Sequence, residues 1–334
     1  MMLLKDSYHL ELEELFERHL YSSIETVKKH YLNHLIQVFV DINNDFIEEK
    51  GIELFEYILA ENFNYRDQYA DALQPDAITK IMNHFVPKTE KYSFYNPFAG
   101  LASLAIDLPK NVEYVGEEKN SVIQVLGKMR LLMYNRPANF IFEQKDSLQS
   151  FYDDKKYDFV AFNPPFHFRV KSDHHENKYF SRSNANAFII SECFKKLKEG
   201  GKMVFLTPNG FLFRRNQKEV ALKKFLVDNQ YLESIIALPS SILNFSSIPV
   251  NIITLSKEKS PRSSVRFIDA TDMFTTSKMK RNIVDAEKVI TLIDEYAKNE
   301  FVQDVSFKEI AKNDYNLSVN RYVFEELQIP EVSN

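Results

Sequence analysis

The chain has 334 residues and a mass of 39.2 kDa, with 44% hydrophobic and 27% charged residues, the values of a globular protein of one large or two smaller domains. Its formal net charge of −5 is unevenly spread: residues 1–71 carry 15 Asp/Glu against 6 Lys/Arg, whereas 169–224 carry 13 Lys/Arg against 5 Asp/Glu, a pattern that suits either a face meeting a polyanion or solvated faces that merely differ. The seven glycines, at 51, 100, 116, 127, 200, 201 and 210, include no pair separated by one residue and no P-loop spacing, which excludes the G-x-G-x-x-G dinucleotide loop and the P-loop.

Residues 8–60 read as helix, with Leu10, Leu12, Leu15, Phe16, Leu20, Ile24 and Val27 near helical spacing and a second apolar series through Leu32, Leu35, Ile36, Phe39, Ile52, Phe55 and Leu59. Asp6, Glu11, Glu13 and Glu14 interrupt the start too early for a signal-peptide apolar region, and no 18-residue apolar run occurs. Pro75 opens a further helix through Ile78, Ile81, Met82 and Phe85.

From residue 92 short apolar runs alternate with helical stretches. The runs predict strands at 93–97, 112–118, 139–143, 157–163, 202–207, 232–238 and 250–256, with helices near 101–107, 119–134, 184–198 and 216–227. Such alternation implies right-handed crossovers and a mainly parallel sheet covered on both faces. Only Pro239–Ile248 separates the last two runs, too little for a helix, so the final strand is expected to be antiparallel. Beyond it lie a strand at 265–268, a helix at 285–298 and a less regular tail. The single cysteine, Cys193, rules out a disulfide framework and a Cys-based zinc site, and fits a reducing cytoplasm. It shares helical spacing with Phe188, Ile189, Phe194 and Leu197, the position of a core residue.

The most informative tetrapeptide is Asn163-Pro164-Pro165-Phe166, placed where a parallel strand ends. That edge of an open α/β sheet is where ligands bind. Two prolines remove two backbone donors and fix two φ angles, so the turn is stiff and presents carbonyls. The Asn163 side-chain oxygen and the Pro164 carbonyl can both accept from one planar amino group, and Phe166 offers a face for a flat ring. An amine held this way directs its lone pair at an electrophile and needs no strong base. Read without a ligand, the same residues make a rigid strand-to-loop turn with a core phenylalanine.

This tetrapeptide resembles the [D/N/S]-P-P-[F/Y/W] hallmark of the amino-methyltransferases, and earlier segments follow in their order. Tyr95-Asn96-Pro97-Phe98-Ala99-Gly100 resembles the D-P-x-x-G-x-G loop around the methionine part of S-adenosylmethionine. Val115-Gly116-Glu117-Glu118 resembles the second-strand acid that binds the ribose hydroxyls, with Glu118 the better placed. Asp146-Ser147-Leu148 resembles the D-S-L whose Asp receives the adenine amino group, and Gln74-Pro75 the T-P segment that closes over the cofactor. The stretch from Gly200 to Phe213, then Leu238-Pro239, Arg266–Ala270 and Asn313–Tyr322, is similar to the modification (methylation) subunits of type I restriction-modification systems.

The resemblance covers roughly residues 70–323 and implies a fold, a reaction and partners. The fold is α/β: the Rossmann-like S-adenosylmethionine-dependent methyltransferase architecture, a seven-stranded mainly parallel sheet with helices on both faces. Residues 1–72 form a small N-terminal helical domain, 73–260 the catalytic domain and 261–334 a C-terminal extension packing on it. The reaction is methylation of the exocyclic amine of adenine in DNA. Its catalytic residues are Asn163, Pro164, Pro165 and Phe166; its cofactor residues are Gln74, Pro75, Asn96, Pro97, Phe98, Gly100, Glu118, Asp146, Ser147, Leu148 and Asn163, with no metal. The partners are double-stranded DNA with a flipped adenine and a separate specificity subunit, with room for an oligomer and none for a membrane. Asn-Pro-Pro-Phe also looks like methyltransferases of guanine amines in RNA or of a glutamine amide in protein, and a non-catalytic binding subunit of this fold is a further alternative.

Four positions in three segments depart from the family pattern. Asn96 stands in place of Asp, Gln74 in place of Thr, and Leu101-Ala102 in place of a small residue and the second glycine. The expected effects are crowding of the cofactor's carboxylate end by the Ala102 methyl and loss of a partner for its amino group at 96. His167, His174 and His175 have no matching ligand spacing for a metal and read as surface loop. Arg214 and Arg215 are candidates for phosphate contacts or a solvated helix start.

Overall fold

A computed structural model of the protein describes residues 44–63, 70–89, 91–137, 139–151, 153–166, 177–182, 184–243, 246–258, 262–276, 282–295 and 299–323. Of the expected helical run over 8–60, the described part is α1 (Asn44–Asn62); His167, His174 and His175 lie outside the described residues. After α2 (Asp76–His84), preceded by Pro75 as anticipated, come β1 (Ser93–Asn96) and β2 (Glu113–Glu118). The side chain of Asn120 accepts from the Val122 and Ile123 N–H groups and so starts α3 (Ser121–Met133). Then follow β3 (Phe140–Gln144), the one-turn α4 (Ser147–Ser150) and β4 (Tyr157–Phe162).

The second half runs through α5 (Asn186–Lys195), β5 (Leu197–Pro208), the short α6 (Gly210–Phe213), α7 (Gln217–Asp228), β6 (Leu232–Ala237) and β7 (Val250–Ser256). β8 (Ser264–Asp269), a small hairpin of β9 (Phe274–Thr276) and β10 (Asn282–Val284), α8 (Ala286–Asp294), β11 (Val302–Ser306) and α9 (Phe307–Lys312) complete the described chain.

The main sheet has nine strands in the order β11-β8-β6-β7-β5-β4-β1-β2-β3. The seven expected strands are contiguous within it, and β8 and β11 extend the β6 edge, β8 parallel to β6 and β11 antiparallel to β8. β7 runs antiparallel to both β5 and β6, as the short connection before it requires. Chain-local reading failed at three places. The helix expected at 101–107 is only a buried 3-10 turn, Ser103–Ala105. The helix expected to reach 198 stops at Lys195, and β5 starts at Leu197 rather than 202. The early start is possible because the pairing with β4 slips between Tyr157–Leu197 and Phe159–Lys202. Gly200 takes φ +77° there, and a Cβ on Gly201 would stand 2.9 Å from the Asp158 carbonyl, so only glycine fits both demands.

Alternation along the strands feeds two cores. Tyr95, Val160, Phe162, Phe205 and Phe267 point to one face, where Phe188 and Cys193 of α5, Leu222 and Leu226 of α7 and Ile310 of α9 cover them. Phe94, Phe159, Ala161, Leu206 and Ile268 point to the other, under Ile78 and Ile81 of α2 and Val289 of α8. Helices on both faces leave the strand ends as the open edges, and the loops after β1, β2, β3 and β4 all emerge at one of them. Among the described residues no helix is long and apolar enough to cross a membrane.

Candidate functional site

The loops at that carboxyl edge enclose a cavity of about 260 Å³ lined by residues of five segments: 71–72, 97–100, 117–123, 145–148 and 163–165. Of the residues expected to bind a cofactor or an amine, Pro97, Phe98, Gly100, Glu118, Asp146, Ser147, Leu148, Asn163, Pro164 and Pro165 border it. Gln74 and Asn96 border a small annex of about 20 Å³, which shares Asp71, Ala72, Phe98, Gly100 and Asn163 with the main cavity. Pro75 and Phe166 border neither; Pro75 precedes α2, and Phe166 packs against the core on the α2 face.

The loop after β1 is held from outside itself. The Leu101 N–H donates to the Ala72 carbonyl at 2.9 Å, and the Ala99 N–H to the Glu117 carbonyl at 2.9 Å. Ser147 Oγ donates to the Pro97 carbonyl. Gly100 takes φ +53°, and a Cβ there would lie 2.4 Å from the Ala72 carbonyl oxygen, so the close approach of the two chain segments requires glycine. Arg130 of α3, 1% exposed, reaches underneath. Its NH1 donates to the Leu101 carbonyl at 3.2 Å and to Ser103 Oγ at 2.8 Å, while Nε and NH2 grip Glu56 of α1 at 2.6 and 2.8 Å. Ala102 sits at φ +57°, the left-handed conformation that a glycine would adopt without cost, yet its methyl is fully buried in the core and borders neither cavity. The expected crowding by this methyl is therefore absent from the cavity. Asn96, 2% exposed, turns its amide inward: Oδ1 accepts from the Phe98 N–H at 3.3 Å and Nδ2 donates to the Tyr114 hydroxyl at 3.5 Å.

Four carboxylates border the cavity. Glu118 accepts from the Asn120 N–H at 2.7 Å and from the Gly100 N–H at 3.2 Å. Burial pushes its pKa up and these N–H donors oppose the rise, to which the Asp71 carboxylate adds. Glu117, 2% exposed, accepts from the Tyr95 hydroxyl at 2.9 Å and pairs with Lys145 at 3.1 Å. Asp146 pairs with Lys119 at 2.8 Å and accepts from the Leu148 N–H at 3.2 Å. Asp71 is the fourth, and burial raises its pKa as well. Sequence reasoning missed Asp71, Glu117, Lys119, Lys145 and Arg130. Asp71 stands four residues before Pro75, near a segment already singled out, whereas Glu56 and Arg130 are 74 residues apart and leave no local signal.

The loop after β4 differs in kind. Asn163 Oδ1 is buried and has no hydrogen-bond partner among the described residues. An acceptor shielded from water without a donor costs about 1–3 kcal/mol, so its presence asks for an occupant.

Other features lie apart. Lys223, 2% exposed, donates to the Leu212 and Arg214 carbonyls at 3.0 and 3.2 Å and shapes the turn before α7; burial lowers its pKa to about 8. Arg214 pairs with the buried Glu219 at 3.3 Å, and Arg215 is 91% exposed. Part of the positive surplus of 169–224 is thus internal, since Lys196 pairs with Asp153, Lys198 with Asp158 and Lys202 with Glu233. A larger cavity of about 1050 Å³ opens at the opposite edge, beside Tyr92, Asp158, Glu233 and Ser264, and none of the expected site residues borders it. No group of three or more His, Cys, Asp or Glu is arranged to hold a metal among the described residues.

The sequence matches the family model of the N-6 DNA methylases over residues 52–329. The methylase subunit of the type I restriction enzyme MpnII of Mycoplasma pneumoniae is 27% identical over 247 residues, covering 66% of this chain and 45% of its own length. That of the type I restriction enzyme MjaVIII of Methanocaldococcus jannaschii is 24% identical over 358 residues, covering 93% and 60%. The crystal structure of the type I restriction-modification methyltransferase subunit from Streptococcus thermophilus superimposes with a TM-score of 0.69 at 27% identity, covering 76% of this chain and 59% of that one. The chain thus spans between 45% and 60% of the length of these relatives.

Proposed function

We propose that this chain, which belongs to the N-6 DNA methylase family, transfers a methyl group from S-adenosylmethionine to the exocyclic amine of adenine in DNA. The observation that carries the reading is the buried, unpartnered Asn163 Oδ1 on the loop that closes the cavity. The names of the curated relatives, methylase subunits of type I restriction enzymes, support the substrate and the wider assembly.

The cavity's chemistry suits the cofactor. Gly100 makes a cradle that a Cβ would fill, and four carboxylates against two lysines favour a ligand of net positive charge. Pro97, Phe98 and Gly100 would hold the methionine part, Glu118 the ribose hydroxyls, and Asp146, Ser147 and Leu148 the adenine, with Gln74, Pro75 and Asn96 supporting the near wall. When bound there, the cofactor supplies an electrophilic methyl group on a sulfonium that needs no further activation.

The remaining work falls to the loop after β4. Asn163 Oδ1 and the Pro164 carbonyl accept from the target amine and turn its lone pair toward the methyl group. Pro165 keeps the two acceptors in register, and Phe166 stacks on the base. Adenine inside a duplex cannot reach this edge, so the base must flip out. Alignment supplies most of the acceleration, and the amine's proton leaves after attack. Residues 73–260 would form the catalytic domain, between the N-terminal helical region 1–72 and the extension 261–334. A separate specificity subunit would choose the DNA sequence.

Replacing Asn163→Ala tests the reading. Transfer of tritiated methyl to adenine-containing DNA is expected to vanish, with cofactor affinity nearly unchanged. Turnover equal to that of the unmodified protein would overturn the assignment.

A further inference from the structure

The four carboxylates of the cavity are not equivalent. Glu117 is matched by Lys145 at 3.1 Å and Asp146 by Lys119 at 2.8 Å. Glu118 has both oxygens on backbone N–H groups, at 2.7 and 3.2 Å. Asp71 has no ion-pair or hydrogen-bond partner beyond its own backbone among the described residues. It also borders both the main cavity and the annex, and so stands where the loop after β1 meets Asn163.

Its backbone is fixed there. The adjoining Ala72 carbonyl accepts the Leu101 N–H at 2.9 Å and would meet a Cβ of Gly100 at 2.4 Å, so residue 71 cannot drift from the loop. At the same end, Asn96 is a neutral amide with both ends engaged inside the protein, so position 96 supplies no anion. Glu118, which among the described residues lacks a cation, has its charge disfavoured by the neighbouring Asp71 carboxylate. A cationic group between loop and carboxylate relieves that repulsion.

We propose that Asp71 binds the α-ammonium of the cofactor's methionine part and supplies the charge that position 96 lacks. The inference rests on the cofactor reading above and adds a residue to it. Asp71 is exposed and so free to meet a ligand, and an ion pair with the ammonium is charge-assisted, so its loss is felt in affinity.

Calorimetric titration of the full chain with three probes separates the alternatives. S-adenosylmethionine carries the ammonium and the sulfonium, S-adenosylhomocysteine the ammonium alone, and methylthioadenosine neither. Asp71→Asn is expected to weaken the first two by about tenfold or more, a loss of about 1.4 kcal/mol or more, and to leave methylthioadenosine unchanged. Asp71→Glu, which keeps the charge on a longer stem, is expected to lose less than Asp71→Asn. Unchanged affinity for the first two overturns the proposal, as does equal weakening of all three or weakening of S-adenosylmethionine alone. If the unmodified protein binds none of the probes, the cofactor reading itself falls.

Discussion

Two loops meet at the cavity and are fixed by opposite means. The loop after β1 is held by partners from four other segments: Ala72, Glu117 and Glu118, Arg130, and Ser147. The loop after β4 carries its stiffness in its own covalent structure, two consecutive prolines, and keeps Asn163 Oδ1 without a partner among the described residues. On the function proposed above, the first arrangement would make cofactor binding answerable to distant residues, including α1 through Glu56 and Arg130. The second would keep the geometry of the two amine acceptors largely independent of the rest of the fold. Substitutions far from the cavity should therefore affect the first loop, and only substitutions within 163–166 should affect the second.

The largest effect is expected where the first loop's support is a buried charge. Glu56→Ala leaves the guanidinium of Arg130, 1% exposed, with only the Leu101 carbonyl and Ser103 Oγ as partners among the described residues. An uncompensated buried charge of this kind costs about 3–5 kcal/mol. Arg130→Met removes the charge and leaves Glu56, 26% exposed, to be hydrated, so its cost should be smaller. Urea unfolding of the two variants gives the ranking, and cofactor titration should show both weakened. The reverse ranking would mean that Arg130 serves the loop mainly by shape and not by charge.

Next comes Gly100→Ala. The φ of +53° and the 2.4 Å approach to the Ala72 carbonyl oppose any side chain, at an expected cost of about 2–3 kcal/mol. The cofactor cradle should open with it, seen as lost binding in calorimetry. Ala102→Gly is the control: relief of its left-handed strain and the added freedom of the unfolded chain nearly cancel. If both substitutions proved neutral, the tight apposition of 71–72 and the loop would not hold in solution.

The same contrast explains what the sequence could convey. The second loop is legible because its device is local: a strand's end, two prolines and an amide are adjacent in the chain. The strands are legible for the same reason, since burial on both faces writes largely apolar runs such as Tyr157–Phe162 and Val250–Ser256. The first loop's supports are not adjacent. Nothing near Arg130 announces Glu56, and a pairing slip that lets β5 begin at Leu197 depends on β4, forty residues earlier by pairing with Tyr157. β11 was hidden differently, because Val302–Ser306 lies at a sheet edge and buries only Val302 and Val305 over five residues, with no period of two to read. Asp71 was missed because a lone acid in a loop carries no pattern until the cavity around it is known.

The smallest effect should come from the second loop itself. Pro165→Ala restores a backbone donor and frees one φ angle, acting chiefly on the unfolded chain, so stability should fall by only about 0.4–1 kcal/mol. Cofactor affinity should change little, because among the described residues no hydrogen bond that holds the loop after β1 involves Pro165. Methyl transfer is the sensitive quantity. Asn163 would sample more orientations, and small misalignments of reacting groups lower rates even when binding is intact. A single-turnover measurement should show the rate reduced by less than about tenfold, well short of the loss in Asn163→Ala. A change in cofactor affinity equal to the change in rate would show that the two loops are coupled. An unchanged rate would show that contacts other than the proline ring hold the amine acceptors, and the division between a loop held from outside and a loop held from within would have to be abandoned.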